Sequence, residues 1–174
     1  MATAIAYWLI PTEPTRGFFE KLIADLARRY DAPVFEPHAT IYLGPDRLEE
    51  GEQIVSQVAT GCGPIQLKTL DAQHSSEFTK TLFVQLSLNA KLQRLSELIR
   101  QRSPPSSPYH LDPHISLLYR RMSLAARREL AHSIRLPFSE VVLDSVCAVR
   151  CASPTHNRAE VEAWRVVATK SLGE

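Results

Sequence analysis

Cysteine is scarce in this chain: Cys62, Cys147 and Cys151 are the whole complement of its 174 residues. So odd and sparse a set excludes the disulfide framework of a small secreted domain. If Cys147 and Cys151 share one extended strand they stand about 13 Å apart, too far to bridge, so free thiols in a cytoplasmic protein are expected. None of the three has the local signature of a cysteine nucleophile, and buried structural thiols are the expectation. An excess of one charge is also missing. Twenty basic and nineteen acidic residues leave a net charge of +1, which excludes the broad positive field of a protein that grips long nucleic acid. Long apolar runs are missing too. The stretch from Met1 to Ile10 is short and meets Pro11, so neither a signal peptide nor a membrane span is expected. With 44% hydrophobic residues and no low-complexity tail, residues 1–174 can bury a substantial core as a single unit, expected to be a monomer.

What is present is a doubled pattern. Pro37-His38-Ala39-Thr40-Ile41-Tyr42-Leu43 and Pro113-His114-Ile115-Ser116-Leu117-Leu118-Tyr119 each read proline, histidine, any residue, hydroxyl residue, then an apolar run. In a strand, residues i and i+2 face the same way. His38 with Thr40, and His114 with Ser116, therefore each present an imidazole and a hydroxyl together, and two such strands side by side would make a four-group pocket. His74-Ser75-Ser76 shares part of the pattern, but the polar stretch Gln73 to Glu77 reads as a turn and places His74 in a loop.

His38 and His114 lie 76 residues apart, and sliding the chain by that offset superimposes more than the motifs. The apolar strand Ile5 to Ile10 falls on Thr81 to Leu86, and the amphipathic segment Thr15 to Tyr30 falls near Lys91 to Arg102. Arg47 to Ala59 falls on Ser123 to Arg135. Each unit reads strand, helix, motif strand, helix, strand, which predicts an α+β fold of two pseudo-symmetric lobes, each with an antiparallel sheet and helices, facing a central cleft. In the first helix Pro14 suits the first turn, and Phe18, Phe19, Leu22, Ile23, Leu26 and Tyr30 form one apolar stripe. Asp46 with Glu49 resembles a capping box, and Asn89 is placed to cap the helix that carries Leu92, Leu95, Leu98 and Ile99. Further strands are expected at Ile65 to Leu70, Leu82 to Leu88, Phe138 to Val149 and Val161 to Thr169, the last two as a hairpin. Two polar loops, Arg102 to Pro108 and Cys151 to Arg158, are candidates for substrate contact, with plain surface connection as the default.

Two imidazoles and two hydroxyls, with no carboxylate or cysteine cluster, suit phosphodiester cleavage, and the charge balance suits a small phosphorylated substrate. Histidine titrates near neutrality, so one imidazole can take a proton from attacking water while the other gives one to the departing oxygen. Hydroxyls can stabilise the nonbridging oxygens as phosphorus becomes five-coordinate. This scheme calls for no cofactor and no metal. His110 and His114 flank Asp112, but in an extended segment they stand about 13 Å apart, too far for one ion. His132 and His156 read as surface or capping residues, and His110 is kept as a candidate substrate contact for its closeness to the second motif.

In these motifs the chain resembles the two-histidine phosphoesterases, and within them the cyclic phosphodiesterases of the plant and fungal type. The resemblance rests on Tyr7-Trp8-Leu9-Ile10-Pro11, on Phe35-Glu36-Pro37-His38-Ala39-Thr40, on Pro108-Tyr109 followed by Pro113 to Tyr119, and on Glu162-Ala163-Trp164. It implies a bilobal fold and hydrolysis of small cyclic phosphates: nucleoside 2′,3′-cyclic phosphates to 2′-phosphates, and ADP-ribose 1″,2″-cyclic phosphate to ADP-ribose 1″-phosphate after tRNA splicing. By the matched positions His38 and His114 are the acid and base pair, Thr40 and Ser116 the phosphate ligands, and Tyr119 a further phosphate or substrate contact, with a strand-ending ring in the core as its competing account. Tyr42 and Trp8 are candidates for the base-binding side of the cleft, with packing as the competing account. The symmetric motifs do not tell acid from base, and the starting assignment takes His114 as base and His38 as acid. The chain departs from its relatives in the insertion His110-Leu111-Asp112 and in its cysteines. Competing functions are a 2′,5′-phosphodiesterase or RNA ligase-like enzyme on RNA ends, and a noncatalytic nucleotide-binding module.

Overall fold

The computed structural model describes residues 1–173. The chain runs β1 (Thr3–Pro11), α1 (Thr15–Tyr30), β2 (Ala39–Pro45), α2 (Leu48–Thr60), β3 (Ile65–His74), β4 (Leu82–Leu86), α3 (Ala90–Arg102), β5 (His114–Leu118), α4 (Leu124–Ser133), β6 (Glu140–Ala152), α5 (Arg158–Glu162) and β7 (Arg165–Ser171). Strand, helix, strand, helix, strand is traversed twice, as the 76-residue offset predicts, and α5 with β7 follows.

Local chemistry accounts for most of these boundaries. Phe19, Ile23, Leu26 and Ala27 form the buried stripe of α1, while Phe18, Leu22 and Tyr30 pack at its margin. Burying a side chain such as Phe19 or Leu26 stabilises the fold by about 1.5–3 kcal/mol. Asn89 caps α3 by accepting the Leu92 N–H at 2.8 Å. The capping box expected at Asp46 and Glu49 does not form. Arg47 holds the cap position of α2 without a side-chain bond, because the Asp46 carboxylate is engaged by Arg150 Nε and Nη2 at 2.7–2.9 Å. A two-pronged guanidinium contact outweighs a single cap bond. Two further expectations are corrected. His74 is not in a loop but ends β3, paired with Leu82. The last strand starts at Arg165 rather than Val161, because Asn157 accepts the Glu160 N–H at 3.0 Å and Glu160 accepts the His156 N–H at 2.6 Å, which nucleates α5.

All pairings are antiparallel and give the strand order β1-β2-β5-β4-β3-β6-β7, with β6 also paired to β1. The third strand of each repeat therefore leaves its own unit. β3 pairs with β4, and β6 pairs with β1. Two seams join the halves: Ile65–Lys68 of β3 against Glu140–Leu143 of β6, and the single pair Ala39–Ile115 between the motif strands. The central cleft opens at that second seam. β1 is buried on both faces. Ile5, Tyr7 and Leu9 enter the main core with Phe19, Val55 and Val58, while Ala6, Trp8 and Ile10 join Cys147, Val149 and Cys151 on the other side. Cys62, Cys147 and Cys151 are free thiols. Among the described residues no helix is long and apolar enough to cross a membrane.

Candidate active site

The pair Ala39–Ile115 sets the motifs against each other, so that His38 and Thr40 on one strand flank the same point as His114 and Ser116 on the other. All four line one cleft of about 230 Å³. Each imidazole is held by the main-chain carbonyl two residues back: His38 Nδ1 bonds Glu36 O at 2.6 Å, and His114 Nδ1 bonds Asp112 O at 2.7 Å. A carbonyl only accepts, so Nδ1–H donates and Nε2 is the nitrogen left for a ligand. The two carbonyl-bearing residues are themselves anchored. Arg16 Nη2 meets the Glu36 carboxylate at 3.0 Å, and Asp112 is gripped by Lys80 and by Gln85 Nε2, the latter at 2.9 Å. Each imidazole also has an aromatic neighbour from the adjoining strand. Trp8 stacks on His38 with centroids 3.6 Å apart, and Phe83 meets His114 edge-on at 5.4 Å.

Burial governs the electrostatics. It pushes the His38 pKa down to about 4, against the opposing bond from the Glu36 carbonyl. His114 is lowered as well, again by burial first. There Lys80 lowers it further, while the Asp112 carbonyl and the Asp112 and Glu77 carboxylates pull it back up. Both rings are thus biased toward the neutral form before a ligand arrives. The hydroxyls differ. Ser116 is buried and donates to Thr79 O at 2.7 Å, whereas the Thr40 hydroxyl has no protein partner among the described residues. Tyr119 lines the cleft with its ring stacked on Phe35 at 3.8 Å, and burial raises its pKa so that the phenol keeps its proton.

A matching irregularity in the two motif strands decides what else faces the cleft. Trp8 pairs with Thr40 and Tyr7 with Tyr42, which leaves Ile41 unpaired; Phe83 pairs with Ser116 and Leu82 with Leu118, which leaves Leu117 unpaired. Each is a bulge one residue after the hydroxyl, and each reverses the alternation. Leu43 and Tyr119 therefore turn to the cleft, while Tyr42 and Leu118 enter the core. Tyr42, a candidate for the cleft with packing as the competing account, packs: it is 1% exposed, and its hydroxyl accepts the Ser107 N–H at 3.0 Å. His110, also a candidate there, is exposed and outside the cleft. Trp8 does line it, beneath His38.

Of the two loops nominated from the sequence, Cys151 to Arg158 borders the site through its first five residues, while Arg102 to Pro108 does not line it and only leads to Tyr109. The segment after Arg102 is laid along β2 by Ser107 and brings Tyr109 to the cleft, its hydroxyl donating to Thr40 O at 2.9 Å. Cys151 to Thr155 forms part of the opposite wall with Trp164, whose indole N–H reaches Thr155 Oγ1 at 3.4 Å. Tyr109 and Trp164 appear in the sequence only as flanks of the motifs. Thr79 has no sequence signal at all, because it reaches the cleft through the 3₁₀ turn Phe78–Lys80. Among the described residues no three His, Cys, Asp or Glu side chains gather closely enough to hold a metal ion.

The comparisons with known proteins agree with this geometry. A family model described as cyclic phosphodiesterase-like protein matches residues 1–172. Escherichia coli LigT crystallised with 3′-AMP shares the fold at a TM-score of 0.58 and 14% identity, with 100% of each chain covered. LigT crystallised with ATP gives 0.56, 16% and the same coverage. TT0787 of Thermus thermophilus gives 0.60 at 17% identity over 98% of each chain. No curated protein matches the chain by sequence. With the family model spanning both motifs and nearly every residue between and around them, the chain belongs to the cyclic phosphodiesterase-like proteins of the two-histidine phosphoesterase family.

Proposed function

We propose that this protein is a metal-independent cyclic phosphodiesterase that opens small cyclic phosphates, taking nucleoside 2′,3′-cyclic phosphates to 2′-phosphates and ADP-ribose 1″,2″-cyclic phosphate to ADP-ribose 1″-phosphate. The observation that carries this reading is the cleft in which two carbonyl-fixed imidazoles meet, each with Nε2 uncommitted. The family supports phosphodiester hydrolysis, and neighbours of the same fold crystallised with 3′-AMP, NADP+ and ATP support a nucleotide-sized ligand.

In this scheme water attacks phosphorus in line with the departing ester oxygen. The base takes the proton from water through Nε2, and the acid donates a proton to the leaving oxygen. The environments favour exchanging the starting assignment. His38 is the more deeply buried ring, neutral at pH 7 with its Nε2 lone pair available, which suits the base. His114 is less buried and has Asp112 and Glu77 to stabilise a positive charge, which suits the acid once an anionic phosphate raises its pKa. The Thr40 hydroxyl and the Tyr119 phenol are the donors toward the nonbridging oxygens, and Ser116 joins them by rotating away from Thr79.

The test is turnover of 2′,3′-cyclic AMP and ADP-ribose 1″,2″-cyclic phosphate in the presence of EDTA, with the opened bond identified by phosphorus NMR. Conversion to the 2′-phosphate or the 1″-phosphate is expected. Absence of cleavage, or activity only after metal is restored, would overturn the proposal.

A further inference from the structure

Among the described residues no Lys, Arg, Asp or Glu side chain lines the cleft that holds His38 and His114. Its neutral donors suit a single phosphate ester, and nothing in it faces a second anion. The cations lie next door. Across Tyr119 is a depression of about 410 Å³ bordered by Arg120, Arg121, Arg158 and His156, with Asp31 the one carboxylate lining it among the described residues. The two hollows are contiguous along the chain: Thr79 and Thr155 border the cleft, Phe78 and His156 border the depression, and Tyr119 borders both.

Two of the guanidiniums are held in place by the end of α1. Asp31 closes that helix in the left-handed region at φ 50°, a conformation that Asp tolerates. Arg120 Nη1 donates to Asp31 O at 3.2 Å, while Arg158 donates to Asp31 Oδ1 at 3.1 Å and to Ala32 O at 2.9 Å. Arg158 Nε also pairs with Glu162 Oε1 at 3.3 Å, and since a guanidinium carries five N–H donors, both Arg120 and Arg158 keep donors to spare. Arg121 is exposed and forms no ion pair among the described residues. Three guanidiniums against the carboxylates of Asp31 and Glu162 leave a local positive excess in a chain whose net charge is only +1.

The geometry points to a second phosphate subsite, in which Arg120, Arg121 and Arg158 receive a phosphate that the substrate carries away from the ester being opened. The 5′-phosphate of a nucleotide and the preceding phosphodiester of an oligonucleotide share this chemistry. The inference rests on the cleft binding a nucleotide phosphate as proposed above, and its test is therefore read from binding rather than turnover.

Calorimetric titration with adenosine 2′-monophosphate, adenosine 2′,5′-bisphosphate and an ApA dinucleotide bearing a terminal 2′-phosphate supplies the comparison. The wild-type protein should bind at least one of the latter two roughly ten- to hundredfold more tightly than the monophosphate, the range expected of charge-assisted bonds to phosphate. Arg121→Glu should abolish that gain, while Arg128→Gln, an exposed cation of α4 outside the depression, should preserve it. A gain with the bisphosphate alone assigns the subsite to a terminal phosphate, and a gain with the dinucleotide assigns it to a chain phosphodiester. Equal affinities for all three ligands, a gain that survives Arg121→Glu, or an equal loss in both variants overturns the inference and leaves the cleft's reading intact. Failure of the monophosphate to bind strikes that reading instead, and failure of all three overturns both.

Discussion

The bond from each motif imidazole to a carbonyl two residues away settles the tautomer in advance: Nδ1 donates, and Nε2 is the nitrogen that can exchange a proton with a ligand. His38→Ala or His114→Ala should therefore lower turnover by roughly 10²- to 10⁴-fold with an unchanged far-ultraviolet circular dichroism spectrum, and near-normal turnover in either variant would sink the two-imidazole scheme. Thr40 and Ser116 occupy equivalent positions in the repeat but do unequal work. The Thr40 hydroxyl is uncommitted, so Thr40→Ala should cost about 1–3 kcal/mol in kcat/KM and leave the melting temperature nearly unchanged. Ser116 is buried and bonded to Thr79 O, so Ser116→Ala should also lose about 1 kcal/mol of folding stability. Steady-state kinetics with thermal melts on both variants separate the two cases, and equal melting temperatures would remove the distinction.

At the scale of elements, the bulges at Ile41 and Leu117 are what make the cleft. Without them Tyr42 and Leu118 would face the ligand and Leu43 and Tyr119 would enter the core. Tyr42→Phe tests this directly. The variant loses the bond that the Tyr42 hydroxyl accepts from Ser107, so stability should fall by about 1 kcal/mol in urea titration while kcat and KM stay at their wild-type values. A raised KM with unchanged stability would put Tyr42 back at the ligand. The motif residues were legible from the sequence because they lie before the bulge, where simple alternation holds. The sequence left Tyr42 between cleft and core because Thr40-Ile41-Tyr42 contains no glycine or proline to mark the extra residue, which shows only in the pairing with β1. The four longer helices were legible in the sequence, and α1 lies at the predicted residues, whereas the short α5 was not, because its residues read as loop and strand. The capping box at Asp46 failed because Arg150, more than a hundred residues away in sequence, engages that carboxylate. Tyr109, Thr79 and Trp164 reach the cleft on turns and loops, whose paths depend on tertiary contacts such as Ser107 with β2.

For the molecule as a whole, the exchange of third strands matters most. Because β3 pairs into the second repeat and β6 into the first, neither repeat can complete its sheet alone, and the cleft that lies between them is as stable as the entire sheet. The stability of the whole should therefore register the protonation of His38, which immediately precedes β2 and is 6% exposed. The His38 pKa is about 4 in the folded chain and near 6.5 once unfolded. Between those values the unfolded chain binds more protons than the folded one, so stability rises with pH. The contribution is fully present above about pH 6.5 and is lost as the pH falls toward 4. Burial lowers His114 in the same direction. From pH 7 to pH 4.5 the His38 component should amount to about 2–3 kcal/mol. Asp46, lowered by its bonds from Arg150, and Asp112, lowered against its burial by Lys80 and Gln85, add losses of the same sign at the acid end. The comparison that isolates the imidazole is therefore His38→Gln against wild type, each unfolded in urea from pH 4.5 to 7.5. The variant should show the shallower decline, and coincident profiles would mean that His38 is not held neutral by the fold.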